Sequence, residues 1–156
     1  LTLARENSKV RSQLVDISKK ALEVAKLNAS LLEVEEHCLF TLGDAIETSS
    51  KFSEDFDIIA ANPPYIPLND KLVEDNVKKY EPHVALSSPT GTDFLKAWSG
   101  KYISQMNKPG LMIMEMGFDQ GIEMKTHFES LKVFDQVKII KDLSGHDRFI
   151  QGEIHG

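Results

Sequence analysis

The sequence has little cysteine, no long apolar run and no excess of positive charge, and each shortage removes a class of protein. Cys38 is the only cysteine among 156 residues, so no intrachain disulfide can form and no cysteine-based zinc cluster is possible. A reducing compartment fits, and a cytoplasmic location is expected. No run approaches the ~18 consecutive apolar residues of a membrane span, and the first residues show no signal-peptide pattern, so no membrane partner is expected. Eighteen basic residues stand against 24 acidic ones, a formal charge of −6, which disfavours a strongly basic nucleic-acid binder. Low-complexity tracts and repeats are absent. No glycine occurs before Gly43. A chain 41% apolar and 27% charged suits one globular domain that buries roughly 70% of its unfolded surface.

Segments of two periods alternate along the chain, the mark of an α/β sheet. Leu1-Thr2-Leu3-Ala4-Arg5 reads as the tail of a helix. Residues 11–16 read as a strand, and Ser18 caps a helix over 19–29 that carries Leu22, Ala25 and Ala29 at helical spacing. Residues 38–42 form a short strand ending at Gly43. Residues 56–61 (FDIIAA) are a continuous apolar run, as expected of a strand covered on both faces. A long connection follows, with a short helix near 70–80. A helix over 93–106 places Leu95, Trp98, Tyr102 and Met106 on one side, with Trp98 in the core. Gly110 opens a strand over 111–116, and a helix over 119–130 faces inward through Met124, Phe128 and Leu131. Residues 133–141 and 148–154 read as an antiparallel pair joined by Leu143-Ser144-Gly145-His146.

Asn62-Pro63-Pro64-Tyr65 directly follows the apolar strand. Neither proline can donate to a ladder, and ligands of open α/β sheets bind outside the carboxyl ends of strands. The prolines fix the backbone, so the Asn62 amide and the Pro63 carbonyl point in set directions. Together these two acceptors can hold a planar –NH2 group by its two hydrogens, with Tyr65 on the face of the plane. The lone pair of such a nitrogen is delocalised and poorly nucleophilic. Polarising its N–H bonds and aiming it at an electrophilic methyl group would help by electrostatics and orientation. The plain alternative is a rigid turn that ends a strand.

The motif resembles the NPPY signature of class I S-adenosylmethionine (SAM)-dependent methyltransferases that act on amide or exocyclic amino nitrogens. Four further blocks resemble HemK-type (PrmC-like) protein-glutamine methyltransferases. They are Tyr80-Glu81-Pro82-His83-Val84-Ala85-Leu86, Gly91-Thr92-Asp93-Phe94-Leu95, the run from Pro109 to Gly117 followed by Gln120, and the run from Asp142 to Arg148. Leu111 stands where the family block has its second glycine. The resemblance implies an α/β Rossmann-like sheet of order 3-2-1-4-5-7-6 with an antiparallel C-terminal hairpin. It implies SAM as cofactor, no metal, and N5-methylation of the glutamine in the GGQ motif of peptide-chain release factors by direct transfer. Asn62, Pro63 and Tyr65 would then be the catalytic residues, and Asn62, Pro63, Pro64, Tyr65 and Glu81 would bind the substrate. Asp16, at a strand end before a helix cap, would accept the ribose hydroxyls; otherwise it is a carboxylate favoured by the helix dipole. Asp44 would lie near the adenine, or else belong to a plain Gly-Asp turn, and Asn62 would also border the cofactor. Glu115 either lines the pocket or pairs with Arg148, Gln120 braces a helix start, and Asp142 and Arg148 hold the hairpin. His37, His83, His127, His146 and His155 lack metal-ligand spacing.

The family's glycine-rich cofactor loop and N-terminal helical domain have no counterpart in these residues. The expectation is therefore a partial catalytic domain over 1–156 that lacks the first, central strand. It should bind SAM weakly, and either close the gap by rearranging or self-associate through exposed strand edges. A nucleic-acid amino-methyltransferase (N6-adenine or N2-guanine) and a non-catalytic partner-binding remnant are the competing readings.

Overall fold

A computed structural model describes residues 1–49, 52, 55–67 and 87–156. They divide into two units, 1–52 and 53–156. In the first, helix α1 (Thr2–Glu6) leads to strand β1 (Ser12–Asp16), helix α2 (Lys19–Leu31), a 3-10 turn (Glu35–His37), strand β2 (Cys38–Leu42) and the short helix α3 (Ala45–Thr48). The βαβ connection makes β1 and β2 parallel, with Asp16 opposite Leu42. Ser18 starts α2, its Oγ accepting the Ala21 N–H at 3.3 Å. At the far end the Val34 N–H reaches the Ala29 carbonyl at 2.9 Å and the Glu33 N–H reaches that of Ser30 at 3.0 Å. These are the paired bonds of a Schellman stop. Leu22 and Ala29 turn inward from α2, and Ala29 joins Ala4, Val34 and Cys38 in a buried cluster on which Leu14 and Phe40 pack.

The second unit contains β3 (Phe56–Ala61), β4 (Ile66–Pro67), β5 (Ser87–Ser88), α4 (Asp93–Tyr102), a 3-10 turn (Ile103–Gln105), β6 (Met106–Glu115), α5 (Gly121–Ser130), β7 (Gln136–Lys141) and β8 (Asp147–Ile154). Its main sheet has the order β3-β6-β8-β7; β3 and β6 are parallel, and β8 is antiparallel to both its neighbours. In the expected order 3-2-1-4-5-7-6, β1 and β2 are members 2 and 3, while β3, β6, β7 and β8 are members 4, 5, 6 and 7. The observed neighbours follow that order within each sheet. Among the described residues member 1 has no counterpart: β1 ladders with β2 alone and β3 with β6 alone.

The core of this unit is rich in sulfur. Met112, Met114 and Met116 alternate inward along β6 and just past its end. Met124 and Phe128, one helical turn apart on α5, are buried as well, as are Leu95 of α4 and Ile150 of β8, each 1% exposed or less. Burying each such side chain contributes roughly 1.5–3 kcal/mol. With Met106 at the start of β6, all five methionines of the chain are buried. The Phe128 and Phe134 rings stack at 5.1 Å.

Five expectations need correction. The helix over 93–106 ends at Tyr102, tightens into the 3-10 turn and becomes strand at Met106. β6 therefore begins ahead of Gly110, and it survives Pro109 because its register against β3 jumps from Phe56↔Met106 to Ile58↔Leu111, which places Pro109 in a bulge. Asn107 Nδ2 ties that bulge to Asp57 Oδ1 at 2.8 Å. Trp98 is only half-buried, because the inward positions of α4 are taken by Leu95, Ser99 and Tyr102. β3 is not covered on both faces: Ile58 is 47% exposed, and Ala60 on the same face is exposed as well. The final strand pair begins at Gln136 rather than 133. The helix expected near 70–80 lies outside the described residues, as do Tyr80, Glu81, Pro82 and His83. Among the described residues no helix is long and apolar enough to cross a membrane.

A Cβ at Gly152 would lie 2.5 Å from Phe134 Cδ1, whereas one at Gly100 on α4 would meet nothing within 4 Å. Gly152→Ala is expected to destabilise by roughly 1–3 kcal/mol through overpacking. Gly100→Ala is expected to stabilise by up to about 1 kcal/mol through helix propensity. Urea unfolding of the two variants checks both signs.

Candidate active site

β3 ends at Ala61, and the next four residues, Asn62-Pro63-Pro64-Tyr65, lead into β4, which pairs in parallel with β5. Asn62 is exposed at the carboxyl end of β3, Pro63 is fully buried, and Pro64 and Tyr65 are half-buried. The corner thus inserts a proline ring into the protein and presents an amide outward. Two contacts anchor Tyr65. Its hydroxyl donates to Glu115 Oε1 at 2.6 Å, and its carbonyl accepts from Gln120 Nε2 at 2.8 Å. The same Gln120 amide accepts the Gly117 N–H through Oε1 at 2.8 Å. Burial, reinforced by the Glu115 carboxylate, pushes the Tyr65 hydroxyl up to about 12, with Arg148 acting in the other direction.

The strand partner of β4 continues into a pinned loop. Asp93 Oδ2 accepts the Thr90 N–H at 2.6 Å, the Thr90 hydroxyl at 2.9 Å and the Ser88 hydroxyl at 2.9 Å. The bonds from Thr90, then Ser88, hold the Asp93 carboxyl below the usual range. Gly91 sits at φ 94°, where side chains are strained. A Cβ there would stand 2.6 Å from Gln120 Nε2 and 3.1 Å from the Tyr65 carbonyl. Asn62-Pro63-Pro64-Tyr65, Gly91-Thr92-Asp93 and the Glu115–Gln120 turn, read separately in the sequence, therefore meet in one place.

Asp142 and Arg148 hold the hairpin. Asp142 Oδ1 accepts the N–H groups of Ser144 at 2.9 Å and His146 at 3.0 Å, and Arg148 Nε lies 3.5 Å from Asp142 Oδ2. The His146 N–H is the main cause of a lowered Asp142 carboxyl. Glu115 does not pair with Arg148 as one sequence reading had it; it takes the Tyr65 hydroxyl, and Arg148 faces Asp142.

Asp16 and Asp44 lie in the first unit, at the carboxyl ends of the adjacent parallel strands β1 and β2. Asp16 Oδ1 accepts the Ser18 N–H at 2.7 Å. Asp44 caps α3, its Oδ1 accepting the N–H groups of Ile46 at 2.7 Å and Glu47 at 3.4 Å. Each carboxylate is thus oriented through one oxygen. Oriented carboxylates on neighbouring strand ends have the chemistry to accept a ribose diol and an amino group. Glu81 lies outside the described residues. The sequence did not show that Gln120 reaches the Tyr65 carbonyl or that Gly91 packs on it; the signal available was a polar residue and a glycine inside apolar blocks.

Tyr65→Phe is expected to cost about 1 kcal/mol at neutral pH, the worth of a part-exposed hydrogen bond. The hydroxyl is raised in the folded state, so its stabilisation is complete below pH ~10, the value of a free tyrosine. It is lost as pH rises toward the folded value of about 12. Urea unfolding at stepped pH should show the gap between variant and parent narrowing above pH ~10.

Curated relatives match along nearly the whole chain. The release factor glutamine methyltransferase of Bacillus cereus is 31% identical across 99% of this chain and 54% of its own length. That of Leptospira interrogans is 38% identical across 96% of this chain and 52% of its own. The chain therefore spans about half the length of the curated relatives it matches. Among solved structures, a SAM-dependent O-methyltransferase from Thermotoga maritima superposes with a TM-score of 0.63 at 10% identity, over 94% of this chain and 50% of that one. An O-methyltransferase from Bacillus cereus in complex with SAH gives 0.60 at 12% identity, over 92% of this chain and 62% of that one. At these identities the likeness shows the fold, the α/β fold of the class I methyltransferases. The family model described as the methyltransferase small domain matches residues 1–79, and on that match, together with relatives above 30% identity along its length, the chain belongs to the methyltransferase small domain family.

Proposed function

We propose that these residues are the SAM-dependent catalytic part of a protein-glutamine N5-methyltransferase whose substrate is the GGQ glutamine of peptide-chain release factors. One observation carries this reading: an exposed Asn62 at the carboxyl end of a parallel strand, fixed by a buried Pro63 and an anchored Tyr65. The curated relatives named release factor glutamine methyltransferase support the choice of acceptor, and the charge of −6 fits a protein substrate better than a nucleic acid.

Asn62 Oδ1 and the Pro63 carbonyl accept the two N–H bonds of the substrate carboxamide and turn its nitrogen toward the methyl donor. SAM, when bound, supplies an electrophilic methyl group. Asp16 and Asp44 fit its ribose and adenine, because both present carboxylates already oriented by backbone N–H groups. Orientation and polarisation of a weak nucleophile account for the catalysis, with no covalent enzyme intermediate. No residue is assigned as general base.

In the full-length protein, Asn62→Ala is expected to lower methyl transfer to a release factor roughly 100-fold or more. Radiolabelled transfer to release factor, RNA and DNA checks it. Wild-type speed in the variant, or transfer to nucleic acid alone, would sink the reading. These 156 residues taken by themselves contain no glycine before Gly43 and so offer no glycine-rich loop for close backbone approach to the cofactor. Calorimetry on that stretch is expected to show weak or no SAM binding; micromolar affinity would contradict this.

A further inference from the structure

The two oxygens assigned to the acceptor amide lie on a segment without a ladder of its own, since β3 ends at Ala61 and β4 starts at Ile66. Its orientation must come from elsewhere, and two grips on it come from the end of β6 and the turn that follows it. Gln120 is 7% exposed, yet both ends of its amide are used: Nε2 on the Tyr65 carbonyl and Oε1 on the Gly117 N–H, each at 2.8 Å. It bridges two loops 55 residues apart in sequence. Glu115 holds the other side of the same residue through the Tyr65 hydroxyl at 2.6 Å. Tyr65 is therefore held by backbone and side chain at once, two residues after the Pro63 carbonyl. Gly91 keeps the space beside the bridge clear, since a Cβ there would stand 2.6 Å from Gln120 Nε2.

We propose that Gln120, aided by Glu115, is a positioning residue for methyl transfer: it sets the direction of Asn62 and of the Pro63 carbonyl before substrate arrives. This rests on the glutamine-methylation reading. A buried amide used only as local filler would need neither of its bonds to cross to another loop. A preset acceptor pocket needs such a bond, because a shift of about 1 Å in a reacting group can cost roughly 100-fold in rate.

The test uses Gln120→Met, which keeps the size and removes both bonds, in the full-length protein. Gln120→Glu serves as a second variant that keeps the Gly117 bond and sets an oxygen against the Tyr65 carbonyl. In both, amide exchange at Ile66, in the β4–β5 pair, is expected to quicken about 10-fold or more, while Ile113 and Ile150 of the β6–β8 ladder keep their protection. On a glutamine peptide, kcat is expected to fall roughly 10- to 100-fold with SAM affinity within about twofold. Glu115→Gln, which retains an acceptor for the hydroxyl, is expected to recover most of the rate lost in Glu115→Ala. Unchanged exchange at Ile66, or wild-type kcat in both Gln120 variants, would overturn the proposal. Should the parent protein transfer no methyl to glutamine, the functional reading fails, and the exchange measurement still decides whether Gln120 holds the loop.

Discussion

Two consecutive prolines at the end of a parallel strand impose the constraint from which the rest of the second unit follows. Pro63 and Pro64 have no N–H to give, so β3 cannot continue as a ladder and the chain must leave the sheet where its strand ends open. Leaving the sheet would ordinarily mean losing definition. Here the loss is offset by burying the Pro63 ring, by the two-residue pairing of β4 with β5, and by side chains that reach across from β6 and the start of α5. The outcome is a short rigid corner with an amide facing outward, an arrangement that regular secondary structure does not provide.

The same reasoning explains the order of the blocks along the chain. Asp93 gathers Ser88 and Thr90 into a tight approach to α4, and this delivers Gly91 against the Tyr65 carbonyl. Asp142 performs the corresponding task in the terminal hairpin, where it gathers Ser144 and His146. In both places a half-buried carboxylate organises nearby N–H and hydroxyl groups. Asp16 and Asp44 in the first unit use one oxygen in the same way.

Much of this was legible in the sequence. β1, β2, β3 and the final hairpin follow from apolar runs bounded by turn residues, and the neighbours within each sheet follow the order implied by the family blocks. The end of α4 was not legible, because Met106 continues the helical apolar spacing although the backbone has already left the helix at Tyr102. Gly110 looks like the start of β6 because the apolar run begins after it, and only the register against β3 reveals the bulge that lets the strand begin at Met106. Exposure of Ile58 depends on what flanks β3, which an apolar run does not encode. In the candidate site, Asn62-Pro63-Pro64-Tyr65 announced itself through local chemistry. The partners of Tyr65 did not, since a contact across 50 or 55 residues is a product of tertiary structure.

The concentration of methionine in the core has a consequence for how this protein ages. A thioether turns polar when it becomes a sulfoxide, and a core built around Met112, Met114, Met116 and Met124 could not accommodate that polarity without loosening. Burial keeps peroxide away from these sulfurs as long as the core stays shut. Oxidative damage is therefore gated by opening: the first sulfoxide would both record an excursion from the native state and make the next one easier.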